Sequence, residues 1–313
     1  MKRRAFVGGV LATALAGPAF AQTSAPAAIR LSGTGTDDYA PVLYAQKAGL
    51  FRVSGIETTY ERSNNGAATV AAVLGGSVDI GKASMGALIS ARAHNVDVKI
   101  NAGGALFQST TPRAAVMLVV ATDSPLHTGK DLAGKTIAVP ALGDQNTLAI
   151  KSWVDAQGGD SKSISFLELP SSAAAAAVTQ GRVAAAALVP PFGARAIGEG
   201  SVRIISNIFA AIAPRFLLTA WFSTGDYAAK HRDLVLRFGK VVASASGYVN
   251  AHVPETADAL AAFSGVSAAS IVQSGITPAA TALDQRDIQP LIDAMAKYGL
   301  IERRFDATDF FIK

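Results

Sequence analysis

From residue 29 onward, short apolar runs alternate with stretches whose apolar positions recur every three or four residues. Ile29 to Ser32 predicts a strand, and Gly33-Thr34-Gly35 then turns the chain into a helix over Pro41 to Ala48. Further strands are predicted over Ile56 to Tyr60, Val78 to Lys82 and Val98 to Ala102. Helices over Gly66 to Leu74 and Met85 to Ala93 separate them, the first closed by Gly75-Gly76. Strand–helix alternation of this kind implies an α/β fold with mostly parallel sheets flanked by helices.

The pattern then restarts. Ala115 to Ala121, Thr136 to Val139, Ile164 to Leu169 and Ala185 to Val189 predict strands, and Phe216 to Phe222 reads as one more. Asn146 to Gln157 predicts a helix that ends at Gly158-Gly159, and Ser171-Ser172 caps an alanine-rich helix. Val73 to Ile80 and Val178 to Ala185 repeat one motif, a helix end, a glycine and a valine opening a strand, which points to two similar α/β units. The last third is helical. Leu234, Val235, Phe238, Val242, Ala245 and Val249 share one helix face, as do Ile288, Leu291, Ile292 and Met295.

Residues before this pattern have the layout of an export signal. Lys2, Arg3 and Arg4 precede an apolar run, Ala5 to Leu15, that is too short to span a bilayer, and Ala19-Phe20-Ala21 forms a small-residue cleavage site. The expectation is a signal peptide over residues 1–21, with either Sec or twin-arginine export, and a periplasmic mature chain. The full chain carries a formal charge of +5, and losing those three cations leaves +2 (25 Lys and Arg against 23 Asp and Glu). That weak, dispersed charge does not argue for nucleic acid. Cysteine is absent, which removes disulfides, thiolate metal sites, thiol nucleophiles and a lipidated anchor.

Several strings imitate catalytic or cofactor motifs. Gly129 to Thr136 spells a Walker A sequence, but the run Thr136-Ile137-Ala138-Val139-Pro140 predicts a strand where a phosphate cradle needs a helix. Gly33-Thr34-Gly35-Thr36-Asp37-Asp38 begins like a dinucleotide fingerprint and then places Asp38 where the third glycine belongs. Its strand–turn–helix context still marks a ligand-facing loop. His94, His127, His231 and His252 are not spaced for a metal. Ser84 misses a nucleophile elbow by one residue and suits a helix N-cap. No cofactor is expected.

Tyr39 to Phe51 followed by Gly55-Ile56-Glu57, Leu74 to Ile80, Lys130 to Val139 and Gly181 to Phe192 together resemble the nitrate/sulfonate/taurine group of ABC-importer binding proteins. The resemblance covers nearly all of the mature chain. It implies a two-lobed periplasmic binding protein fold with a ligand cleft between lobes. The first lobe would comprise residues 22–108 and 215–313, and the second residues 109–214. It further implies a monomer that binds a small molecule without turnover, partners an ABC permease and its ATPase, and meets the membrane only through that permease. A same-fold enzyme of pyrimidine-precursor or menaquinone biosynthesis is the alternative. Ala184 and Pro190 depart from the Asp and Glu usual in the family, so substrate identity does not transfer.

In such a fold the ligand sits beyond the carboxyl ends of the strands, at helix N-termini. The candidate ligand-binding residues are Asp38, Tyr39, Ser84, Met85, Phe107, Asn146, Thr147, Phe192 and Arg215. Helix N-termini and Arg215 favour an organic anion, although Arg215 would serve equally in a surface salt bridge. Asp37 and Asp38 would hold an amine or amino-heterocycle or cap a helix, and Tyr39, Phe107, Phe192 and Trp221 would stack on an aromatic ligand or fill the core. The expected ligand is therefore a small organic anion or an aromatic or zwitterionic compound.

Overall fold

The computed structural model describes residues 25–110 and 116–312 of the protein. The expected export signal lies outside the described residues. The strands are β1 (Ala27–Gly33), β2 (Ile56–Arg62), β3 (Ile80–Ser84), β4 (Val98–Gly103), β5 (Leu106–Gln108), β6 (Met117–Ala121), β7 (Thr136–Val139), β8 (Ser165–Glu168), β9 (Ala185–Leu188), β10 (Val202–Ser206), β11 (Arg215–Leu217) and β12 (Thr219–Thr224).

Two five-stranded sheets share one topology. The first has the order β2-β1-β3-β12-β4 and the second β8-β7-β9-β6-β10. In the first, β1 pairs in parallel with β2 and β3, and β12 runs antiparallel between β3 and β4. In the second, β7 pairs in parallel with β8 and β9, and β6 runs antiparallel between β9 and β10. Four strands of each sheet therefore point one way and one opposes them. The repeated helix–glycine–valine motif leads into β3 and β9, which hold equivalent places.

Local chemistry starts and stops three helices as the sequence predicts, whereas the alanine-rich helix Ser171–Thr179 starts behind Pro170 without a side-chain cap, and the Ser171 hydroxyl accepts from the Val189 amide at 3.4 Å instead. Asn65 accepts from the Ala68 amide at 2.8 Å to open helix Gly66–Leu74, and Ser84 accepts from Ala87 at 3.1 Å to open Met85–Ala93. Asp144 opens Gln145–Ala156, and Gly158, at φ +72°, ends it. The long helix Arg232–Ala251 buries all six apolar residues of its predicted face, and Ile288, Leu291, Ile292 and Met295 are buried as well. The Walker-like string forms a short 3-10 turn over Gly129–Leu132 and then enters β7. Its amides are committed to local turns and a sheet ladder.

The apolar run from Phe216 is two strands, not one. Leu218 separates β11 from β12, and its amide donates to the Ala105 carbonyl at 2.8 Å. β11 leaves the large sheets and pairs antiparallel with β5, matching Phe216 to Phe107 and Leu217 to Leu106. This ribbon joins the two units, since β5 leads from the first sheet toward the second and β11 leads back. Phe107, Phe209 and Phe216 pack on it with ring centroids 5.4–5.8 Å apart. Continuous apolarity concealed the break because both halves are buried for different reasons. We expect Phe216→Ala to cost about 3–5 kcal/mol, read as a lower unfolding midpoint in urea.

Candidate ligand-binding site

A cavity of about 380 Å³ lies between the two units. Turns following β1, β2 and β3 line one wall, and turns following β7, β8 and β9 line the other. This is the carboxyl-end placement that open α/β sheets favour. Of the predicted residues, Asp38, Ser84, Asn146 and Phe192 line it.

Asp38 sits on the turn Asp37–Tyr39 and forms a buried ion pair with Lys82 of β3; the two side chains are 2% and 1% exposed. Its Oδ1 also accepts from the Thr36 hydroxyl at 2.6 Å, and its Oδ2 accepts from the Thr219 hydroxyl at 2.5 Å. The Lys82 ammonium donates further to Thr36 Oγ1 at 2.7 Å and to the Thr34 carbonyl at 3.3 Å. Gly33, the register partner of Lys82, leaves room for the lysine stem beside Tyr39. Burial alone would raise the Asp38 pKa. The charge and hydrogen bond of Lys82, with the Thr219 and Thr36 hydroxyls, outweigh it and hold the carboxyl below its usual value.

The remaining predicted residues stand elsewhere. Tyr39 is fully buried among Trp221, Phe263 and Tyr60, with the Lys82 ammonium 5.4 Å from its ring centre. It supports the site from beneath rather than meeting a ligand. Met85 is buried in an apolar core that runs through both units, Phe107 belongs to the ribbon, and Trp221 is core. Thr147 lies one helix step past the cavity wall and donates to the Ala141 carbonyl at 3.4 Å. Arg215 lies on β11 and forks onto Asp287 at 2.6 and 2.8 Å, with its side chain 49% exposed. Its surface role is the one realised.

Sequence reasoning missed Lys82, Arg62, Gln145 and Thr219, all of which line the cavity. Lys82 did leave a signal, a lone cation closing the run Val78 to Lys82 just before the turn to the next helix. Gln145 bridges the units: its Oε1 accepts from the Gly86 amide at 3.2 Å, and its Nε2 donates to the Leu218 carbonyl at 3.0 Å. Asn65 donates to Glu168 at 3.2 Å, and the Asp37 amide donates to the Pro190 carbonyl at 3.4 Å, both across the same gap. A Cβ on Gly86 would collide with the Asp144 carboxylate, so the close approach requires glycine there.

Two further carboxyls line the cavity without a salt-bridge partner among the described residues. Asp37 accepts from the Thr277 amide at 2.5 Å, yet burial and the neighbouring Asp38 push it up to about 7. Asp144 accepts from the Gln145 amide at 2.5 Å, and burial pushes it up to about 6.

The family model described as NMT1/THI5 like matches residues 36–257, most of the chain. The chain belongs to the NMT1/THI5-like family. No curated protein matches the sequence. Among solved structures, the periplasmic aliphatic sulphonate binding protein SsuA from Escherichia coli is similar at 20% identity and a TM-score of 0.74. The match covers 92% of this chain and 98% of that one. The periplasmic nitrate-binding protein NrtA from Synechocystis PCC 6803 matches at 14% identity and a TM-score of 0.71, over 87% and 82% of the two chains. A Candida albicans protein described as having the generic periplasmic binding protein fold matches at 14% identity and a TM-score of 0.71, over 90% and 92%. This NMT1/THI5-like chain has that fold.

Lys82→Met should strand Asp38 as a buried, unpaired charge and cost about 3–5 kcal/mol. Adding Asp38→Asn should recover most of the loss, and chemical denaturation of both variants checks this. A second expectation concerns pH. Asp37 and Asp144 bind a proton more readily in the folded chain than at their usual 3.8, so their contribution is whole below about 4 and is lost as pH climbs through 6 and 7. The ligand-free melting temperature should fall across that window, and an Asp37→Asn/Asp144→Asn double variant should flatten the fall.

Proposed function

We propose that this protein is the exported solute-binding component of an ABC importer. Residues 22–108 and 215–313 form one lobe and residues 109–214 the other. A small molecule is captured between them, and the closed complex is presented to a membrane permease driven by its ATPase. The chain works as a periplasmic monomer, reaches the membrane only through the permease, needs no cofactor and leaves its ligand unchanged.

The observation that carries this reading is the cavity itself. Six strand-end turns from two matching sheets surround it, a two-stranded ribbon runs between the units, and hydrogen bonds from Gln145 and Asn65 cross the gap. A volume of about 380 Å³ suits a small metabolite. Two such units facing each other across a cleft can close around a guest by hinge bending. The family, and the sulphonate- and nitrate-binding proteins that share the fold, support a binding role. The ion pairs and caps in the cavity are those of a rigid receptor: Ser84 is engaged as a helix cap, and Lys82 is neutralised by Asp38.

A thermal-shift screen of sulfonates, carboxylates, amines and amino-heterocycles, followed by titration calorimetry on the hits, tests this. One ligand per chain should bind, small-angle scattering should show compaction, and the ligand should be recovered intact. Conversion of the ligand by the purified protein would overturn the reading. Gln145→Ala should weaken binding several-fold, because the closed form loses two hydrogen bonds between the lobes; calorimetry reads that loss directly.

A further inference from the structure

The charges around the cavity do not balance. Asp37, Asp38 and Asp144 face Lys82 and Arg62, and Lys82 is consumed by Asp38. That leaves two buried carboxyls without a countercharge and one exposed guanidinium. Arg62 lies against Gly35, at a point where a Cβ would meet its guanidinium. It has no carboxylate partner among the described residues.

Three of the helix N-termini at the cavity, which would otherwise draw an anion, are partly taken up by the protein's own side chains, while helix Ser171–Thr179, behind Pro170, has no side-chain cap. Asn65 takes the Ala68 amide, Ser84 takes Ala87, and Gln145 takes Gly86. The Asp144 carboxylate takes the Gln145 amide. At the start of helix Gln145–Ala156 the protein thus supplies its own anion where a sulfonate or carboxylate would bind, which leaves the uncapped start of Ser171–Thr179 and Arg62 for an anionic group.

A separate observation points to a missing partner. Asn146 lines the cavity, is only 4% exposed, and its Oδ1 is buried with no hydrogen-bond partner. A buried amide oxygen left unpaired is costly, and native structures rarely tolerate one away from a site where something else completes it. An acceptor in that place calls for an N–H or O–H donor.

We infer that the cleft selects a ligand bearing a cationic nitrogen with free N–H bonds, an ammonium or amidinium, for which Asp37 and Asp144 are the countercharges and Asn146 a further hydrogen-bond partner. Arg62 leaves room for an anionic group at the ligand's other end, so a zwitterion satisfies the whole lining. This deepens the receptor reading and rests on it. The ligand's positive charge replaces the proton that burial favours on these carboxyls. Asp37 is faced by Asp38, Lys82 and Thr277, and Asp144 by Ser84, Gln145 and Glu168, so no cation other than the ligand is at hand for either except the committed Lys82.

The test uses matched pairs of probes: taurine against isethionate, benzylamine against benzyl alcohol, and benzamidine against benzamide. Each pair keeps its shape and exchanges the cationic nitrogen for a neutral group. Thermal shift and calorimetry on the whole mature protein should show at least tenfold tighter binding of a cationic member, weakening as pH drops below about 6. Asp144→Asn and Asp37→Asn keep the hydrogen-bond acceptor and remove the charge. They should abolish that preference while raising the ligand-free melting temperature at pH 8. Equal or tighter binding of the neutral members, or of simple sulfonates and carboxylates, with the two variants unchanged, would sink this inference and leave the receptor standing. A lower melting temperature in both variants would show that the carboxyls are structural and also overturn it. Failure of every probe, cationic, neutral and anionic, would bring down the receptor reading with it.

Discussion

The buried Lys82–Asp38 pair is the contact around which the site is built. Two charges taken out of water are stable only when their remaining hydrogen-bonding capacity is met. Here Thr36, Thr219 and the Thr34 carbonyl meet it. Those partners come from the turn after β1 and from the start of β12, and Lys82 itself from β3, three segments far apart in sequence. The Thr219 hydroxyl also accepts from the Ala105 amide at 2.7 Å, just before β5. One ion pair thus fixes the cavity floor to the beginning of the connection between units. Tyr39, packed beneath Lys82, and Gly33, which makes way for it, follow from the same need.

That arrangement explains why some of the molecule was legible in its sequence and some was not. Helix limits set by caps and glycines came through closely: Gly66–Leu74 and Met85–Ala93 stand where Asn65, Ser84 and the following chemistry place them. The strand ends that carry the site were also legible, because turns after apolar runs are local features. Partner choice was not. Arg215 and Lys82 are both cations beside apolar strands. Only the three-dimensional arrangement sends one to Asp287 at the surface and the other to Asp38 in the interior. Asn146 and Thr147 were read as equivalents at a helix start, yet a helix turns about 100° per residue, so Asn146 meets the cavity and Thr147 does not. Tyr39, Met85 and Phe107 failed for a simpler reason: an apolar side chain beside a ligand-facing turn has a core to fill first.

The two sheets show how a repeated topology yields an asymmetric cleft. Each presents three turns from equivalent strands, but the first contributes a neutralised ion pair beside the unneutralised Asp37, and the second an unneutralised carboxyl at Asp144. Gly86 lets them approach closely. The side chains that cap helices in this region also wall the cavity, so helix stability and ligand selection draw on the same atoms.

The ribbon of β5 and β11 has a mechanical consequence. Two separate tethers would let the bodies they join rotate about several axes. Strands bonded to each other along Leu106–Gln108 and Arg215–Leu217 cross as one paired unit, so neither crossing can shift without the other. Relative movement of the halves is further limited by helix Gln289–Lys297, which packs against both Met85–Ala93 and Gln145–Ala156. The facing walls can meet again in the same alignment after every excursion, and little orientational search is needed for Gln145 to find Gly86 and Leu218.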